Sequence, residues 1–191
     1  MKKNKSTKST INYKQETIEF LRQLDNTVTD LESIAHHEAG HMVIERIMNP
    51  NCMYAYIMNG EMASVHRIGG KTNPNLSSIV GVEMAITPII AGYVGELVKL
   101  GKRTIAPIIM EMWCETSARK IENGEQIDGS SDISMAGMLA LLARQQYHQK
   151  INYQRIVNSI LEAFDRNDYK AEVERAREFF KKHFSPMGEV A

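Results

Sequence analysis

Along most of this chain apolar residues recur every three or four positions, the interval at which side chains share one face of a helix. The first such set, Ile18, Phe20, Leu21 and Leu24, predicts a short amphipathic helix within residues 17–24. Residues 26–30 offer capping side chains, and a helix is expected from about there to Met48, closed by Asn49-Pro50. The period then shortens. Residues 52–58 and 63–68 read as two strands joined by Asn59-Gly60, a dipeptide favoured in tight hairpins, with a polar loop over residues 69–77. Helical spacing returns at about 79–100, with a break or kink near Pro88, and again at 106–120. After a loop, Met135, Ala136, Leu139 and Ala143 mark a helix over 132–147. Two amphipathic helices follow, carried by Ile156, Ile160, Leu161 and Phe164, then by Tyr169, Val173, Ala176 and Phe180. The expected fold is mainly α with one small β-hairpin, an α+β class. A flexible basic tail is expected over 1–15, one domain over 16–150, and C-terminal helices over 151–191 packed on that same domain.

Composition narrows the function classes. At 191 residues, 43% hydrophobic and 24% charged, the chain can bury a real core. Its 23 basic and 23 acidic residues cancel, so no global charge draws it to nucleic acid or to an anionic membrane. Five lysines and no acid lie in the first 15 residues, but no apolar run follows them as in a secretory signal. The run over 79–98 contains Glu83, Pro88 and Glu96, and acids near a bilayer centre are costly, so a buried helix is expected there and no membrane span. Cys52 and Cys114 lack any C-x-x-C spacing and read as free thiols in a reducing compartment, the cytoplasm. Twelve methionines suit an adaptable core.

The segment that carries chemistry is Ala35-His36-His37-Glu38-Ala39-Gly40-His41. Within it His37, Glu38 and His41 form His-Glu-x-x-His on a predicted helix. Four residues turn a helix by about 400° and raise it about 6 Å, so His37 and His41 project from one face, a turn apart. Two imidazoles so placed can grip one zinc ion, with Glu38 beside them as a general base. His36 points about 100° away and is not expected to ligate. A catalytic zinc usually keeps three protein ligands. Glu45 is a poor third, because it stands about 12 Å from His37 along the axis. Glu61, His66, Glu83, Glu96, Asp128 and Asp132 remain open on the residues alone.

His37-Glu38-Ala39-Gly40-His41, followed downstream by Gly129-Ser130-Ser131-Asp132-Ile133, resembles the FtsH-type zinc peptidase domain. That family pairs an H-E-A-G-H helix with a late aspartate in a small-residue segment. Its intervening Ala/Gly-Gly-Arg-x-Ala-Glu segment is echoed as Ala91-Gly92-Tyr93-Val94-Gly95-Glu96, without the arginine and with Gly95 in place of alanine. The resemblance covers roughly residues 30–147. It implies a zinc metallopeptidase in which Asp132 is the third ligand. Asp128 stays open beside it, because Gly129 stands one residue closer to the aspartate than in the family; Asp132 also suits a helix N-cap. By the same likeness the 63–68 strand would pair with an extended substrate, placing Ser64, Val65 and His66 as substrate-binding residues. On the residues, Glu96 would either orient a ligand histidine or serve as a buried structural acid.

The expectation is therefore a zinc-dependent endopeptidase. No G-x-x-x-x-G-K-[ST] loop occurs in the 191 residues, so ATP would not drive unfolding within this chain. Its substrates would be flexible protein or peptide segments, with room for a partner ATPase or regulator and for oligomer formation. Two other readings compete. One is a mobile-element regulatory metallopeptidase taking Glu83 or Glu96 as third ligand. The other is an inactive or narrowly specific metal-binding protein that acts through its C-terminal helices.

Overall fold

A computed structural model describes residues 30–59, 62–68, 75–129 and 131–183. The described residues from 31 to 183 form one compact unit. The predicted helix at 17–24 and the tail at 1–15 thus lie outside the described residues, as does the hairpin turn at 60–61.

The architecture is mainly helical with one two-stranded antiparallel sheet. In chain order it comprises α1 (Leu31–Met48), β1 (Met53–Asn59), β2 (Met62–Ile68), α2 (Ile79–Lys99), α3 (Ala106–Glu122), α4 (Asp132–Tyr147), α5 (Tyr153–Arg166) and α6 (Tyr169–His183). The expected kink near Pro88 does not break α2, which runs unbroken through that residue. The helix is long and apolar enough to cross a membrane by length and composition, yet Val82, Ile86, Ile90, Ala91 and Val94 are fully buried in the fold.

Local chemistry fixes where the helices start. Ser78 caps α2 by accepting the Gly81 N–H, Ser131 caps α4 by accepting that of Ser134, and Asn152 caps α5 by accepting that of Arg155. Pro107 sits in the first turn of α3, where its missing N–H costs nothing. At the crossing of α1 and α2, any Cβ on Gly40 would collide with the Ala91 carbonyl, so the two backbones approach as only glycine permits. The core fills between α1, α2, α3 and α4 with Met42, Ile86, Ile90, Leu97, Ile109 and Met110, each exposed by 1% or less.

A buried carboxylate ties the hairpin and the last helix to α1. Glu172 of α6 is 1% exposed and accepts hydrogen bonds from Arg46 of α1 and Tyr56 of β1, both at 2.6 Å, and from Arg175. Burial pulls its pKa up, but the Arg175 and Tyr56 hydrogen bonds win and hold it below the ordinary carboxylate value. A lowered folded pKa gives stability that is present above the unfolded value, about 4.3, and lost as pH falls through the folded one. Glu172→Gln should therefore cost about 1–3 kcal/mol at pH 7, with a smaller gap from wild type at pH 3. Urea unfolding at the two pH values measures this, and a gap that does not change with pH would refute it.

Candidate metal centre

α1 presents His37 and His41 one turn apart, as their spacing predicts. α2 runs alongside, and α4 begins so that its first residue, Asp132, meets them. His37 Nε2 and His41 Nε2 are 3.0 Å apart; Asp132 Oδ2 lies 3.3 Å from the former and 3.0 Å from the latter. These are the only described His, Cys, Asp or Glu residues that converge as a three-residue group able to hold a metal ion.

The other ring nitrogens show what those atoms offer. His41 Nδ1 lies 2.8 Å from the Pro88 carbonyl, which can only accept, so Nδ1 carries a proton and a neutral His41 has its lone pair on Nε2. His37 Nδ1 donates to Glu96 Oε1 at 2.5 Å, turning its Nε2 toward the same point. With both Nε2 atoms deprotonated, two imidazole lone pairs would face a carboxylate oxygen, an arrangement that repels unless a positive charge, a metal ion or a proton, lies among them. Four ligands around zinc at about 2.0–2.1 Å stand about 3.3 Å from one another, and the observed separations fit that triangle.

The charges agree. Burial opposes a proton on His37, but the carboxylates of Asp132 and Glu96 outweigh it and push the imidazole up to about 10. Burial works against the Asp132 carboxylate too, yet hydrogen bonds from His37 and His41 hold it well below its ordinary range. Without an ion, a proton answers the demand for positive charge. Glu38 is 6% exposed, and its burial raises its pKa against the pull of the two histidines. One side of that carboxyl interacts with the Val65 backbone of β2, while Oε2 is buried with no hydrogen-bond partner among the described residues. A buried, unpartnered carboxylate oxygen beside a convergent donor set suits a polar ligand.

The remaining candidates are placed elsewhere. Asp128 is exposed and outside the cluster; its backbone carbonyl accepts the Ser131 N–H. Because Ser131 is the N-cap, Asp132 does not have that duty and its carboxylate turns to the histidines. Glu96 sits on the far, Nδ1 side of His37, so it orients that ring and is not placed as a third ligand. Glu83 pairs with Arg155 and accepts the Asn152 N–H. Glu45 bonds Arg67 and Tyr54. His36 turns to Tyr169 and Glu32, and Glu61 lies outside the described residues. On β2 the three expected substrate contacts separate. The register pairs Tyr56 with Val65 on the face packed inward, whereas Ser64 and His66 share the outer face with Met53 and Ile68. His66 is exposed there and is not part of the cluster.

Three residues of the site carry no sequence signal of their own. The Pro88 carbonyl fixes the His41 ring. A Cβ on Gly92 would stand 2.5 Å from His41 Nε2 and 2.6 Å from His37 Nε2, so only a glycine lets α2 lie against both imidazoles. Tyr93 packs edge-on to His37, with ring centroids 5.0 Å apart. Gly92 and Tyr93 belong to the segment that echoes the peptidase family, which was the one available hint. Comparison of the chain with protein-family models, curated proteins and solved structures found no match.

Proposed function

We propose that this protein is a zinc-dependent endopeptidase whose metal is held by His37, His41 and Asp132, with Glu38 as general base. One observation carries the reading: His37 Nε2, His41 Nε2 and Asp132 Oδ2 converge within 3.0–3.3 Å beside Glu38, whose Oε2 is buried without a hydrogen-bond partner among the described residues. The likeness of the His37–His41 and Gly129–Ile133 segments to FtsH-type peptidases supports the same assignment. When bound, zinc supplies the Lewis acidity that brings the pKa of a water toward about 7 and polarises a peptide carbonyl. Glu38, whose charged form is destabilised by burial, takes the proton from the attacking water and returns it to the departing amine. Glu96 and the Pro88 carbonyl hold the imidazoles in the tautomer that leaves both Nε2 atoms available. Asp132, placed against the two histidines, is held in its carboxylate form, the form that ligates a metal.

The substrates would be flexible protein segments, because the 191 residues contain no G-x-x-x-x-G-K-[ST] loop to couple ATP to unfolding. The two free cysteines, Cys114 buried and Cys52 half-buried, fit a reducing compartment such as the cytoplasm. Casein, an unfolded test substrate, should be cut by zinc-loaded protein. Cleavage should stop when a chelator strips the metal and return when zinc is added back. Cleavage that survives exhaustive chelation would overturn the proposal.

A further inference from the structure

We propose that Tyr93 and Trp113 form an aromatic shelf at the edge of the metal centre that receives a large apolar side chain of the peptide substrate, and so sets the specificity of the proposed cleavage. This rests on the peptidase reading of the site and names the substrate class it selects. Tyr93 stands directly after Gly92, the residue whose bare Cα lies against both imidazoles. Its ring meets His37 edge-on at 5.0 Å and Trp113 of α3 edge-on at 5.5 Å, forming a chain of rings that leads away from the metal ligands. Both aromatic residues are half-buried, although their neighbours Ala91, Val94, Met110 and Cys114 are fully enclosed. Aromatic rings this large contribute most when covered, and the half-buried Tyr93 and Trp113 keep part of their surface available to a further apolar group. No hydrogen bond to the Tyr93 hydroxyl occurs among the described residues, so the contact on offer is chiefly that of the ring itself. A carboxylate would be a poor fit there, because covering it with two aromatic rings strips its water with little in return. The chemistry thus favours Phe, Leu or a similar side chain beside the scissile bond and disfavours Asp and Glu.

The test reads binding as well as turnover. Alanine-based heptapeptides with blocked ends and Phe, Leu, Gly or Asp at the centre are labelled with a fluorophore and titrated with zinc-loaded Glu38→Gln protein, in which cleavage is disabled. Anisotropy gives Kd, and the fluorescence of Trp113, the single tryptophan of the chain, reports whether the shelf is occupied. The Phe and Leu peptides should bind roughly tenfold tighter than the Gly and Asp peptides and should perturb Trp113 emission. Adding Tyr93→Ala should remove most of that preference, whereas Tyr93→Phe, which keeps the ring, should cost at most about threefold. Equal binding of all four peptides, no detectable binding, an unmoved Trp113 signal, or a loss in Tyr93→Phe as large as in Tyr93→Ala would each overturn the shelf. Should wild-type protein cleave nothing while the Tyr93-dependent preference persists, the hydrolase reading falls and the shelf stands.

Discussion

Glu38→Gln should bind zinc as wild type does and yet cleave peptides about 100- to 10,000-fold more slowly, the usual span for loss of a positioned general base. The substitution is close to isosteric, and Glu38 is not among the three converging ligand residues, so the metal cradle should persist. What disappears is a carboxylate whose Oε2 is buried and unpartnered. The neutral amide cannot take a proton from water at any accessible pH. Fold stability should hold or rise, because the charge removed is one that burial destabilises. Parallel measurement of zinc content, thermal unfolding and casein turnover separates these effects. Unchanged turnover with full zinc would remove Glu38 from the mechanism.

Gly92→Ala should be nearly as damaging, and by a different route. The added methyl would lie 2.5 Å from His41 Nε2 and 2.6 Å from His37 Nε2, well inside van der Waals contact with both proposed ligating atoms. The rings cannot swing aside freely, since Nδ1 of His41 is held by the Pro88 carbonyl and Nδ1 of His37 by Glu96. Alanine is the better helix former by about 1 kcal/mol, so α2 itself should not suffer. The expected outcome is a helical protein whose zinc affinity has fallen about 100-fold, with activity lost alongside. Circular dichroism and a zinc titration against a competing chelator measure the two parts. Wild-type affinity in Gly92→Ala would show that the imidazoles do not ligate as oriented here.

Much of this arrangement was legible in the chain because helical periodicity and the His-x-x-x-His interval are local properties. The spacing of Met135, Ala136, Leu139 and Ala143 placed α4 at 132–147, and the Asn59-Gly60 dipeptide placed the hairpin to within a residue at its ends. Which carboxylate joins the histidines was not legible from the residues alone. Asp128 and Asp132 lie four positions apart, and the choice turns on Ser131 taking the cap, a matter of loop conformation. The face occupied by His66 was equally hidden, because shifting a strand register by one residue exchanges its two faces. Gly92 and the Pro88 carbonyl matter only where α2 crosses α1, about fifty residues away in sequence, and close approach between distant helices leaves no periodic trace. Tyr93 stands where the resembling family has arginine, which gave notice of a difference without saying what the ring would touch.

The most direct test is the zinc stoichiometry of three proteins after loading and gel filtration: wild type, Asp132→Ala and Asp128→Ala. One zinc per chain in wild type and in Asp128→Ala, with the metal lost from Asp132→Ala, is the predicted result. Full occupancy in Asp132→Ala, or no zinc retained by the wild type, would contradict it.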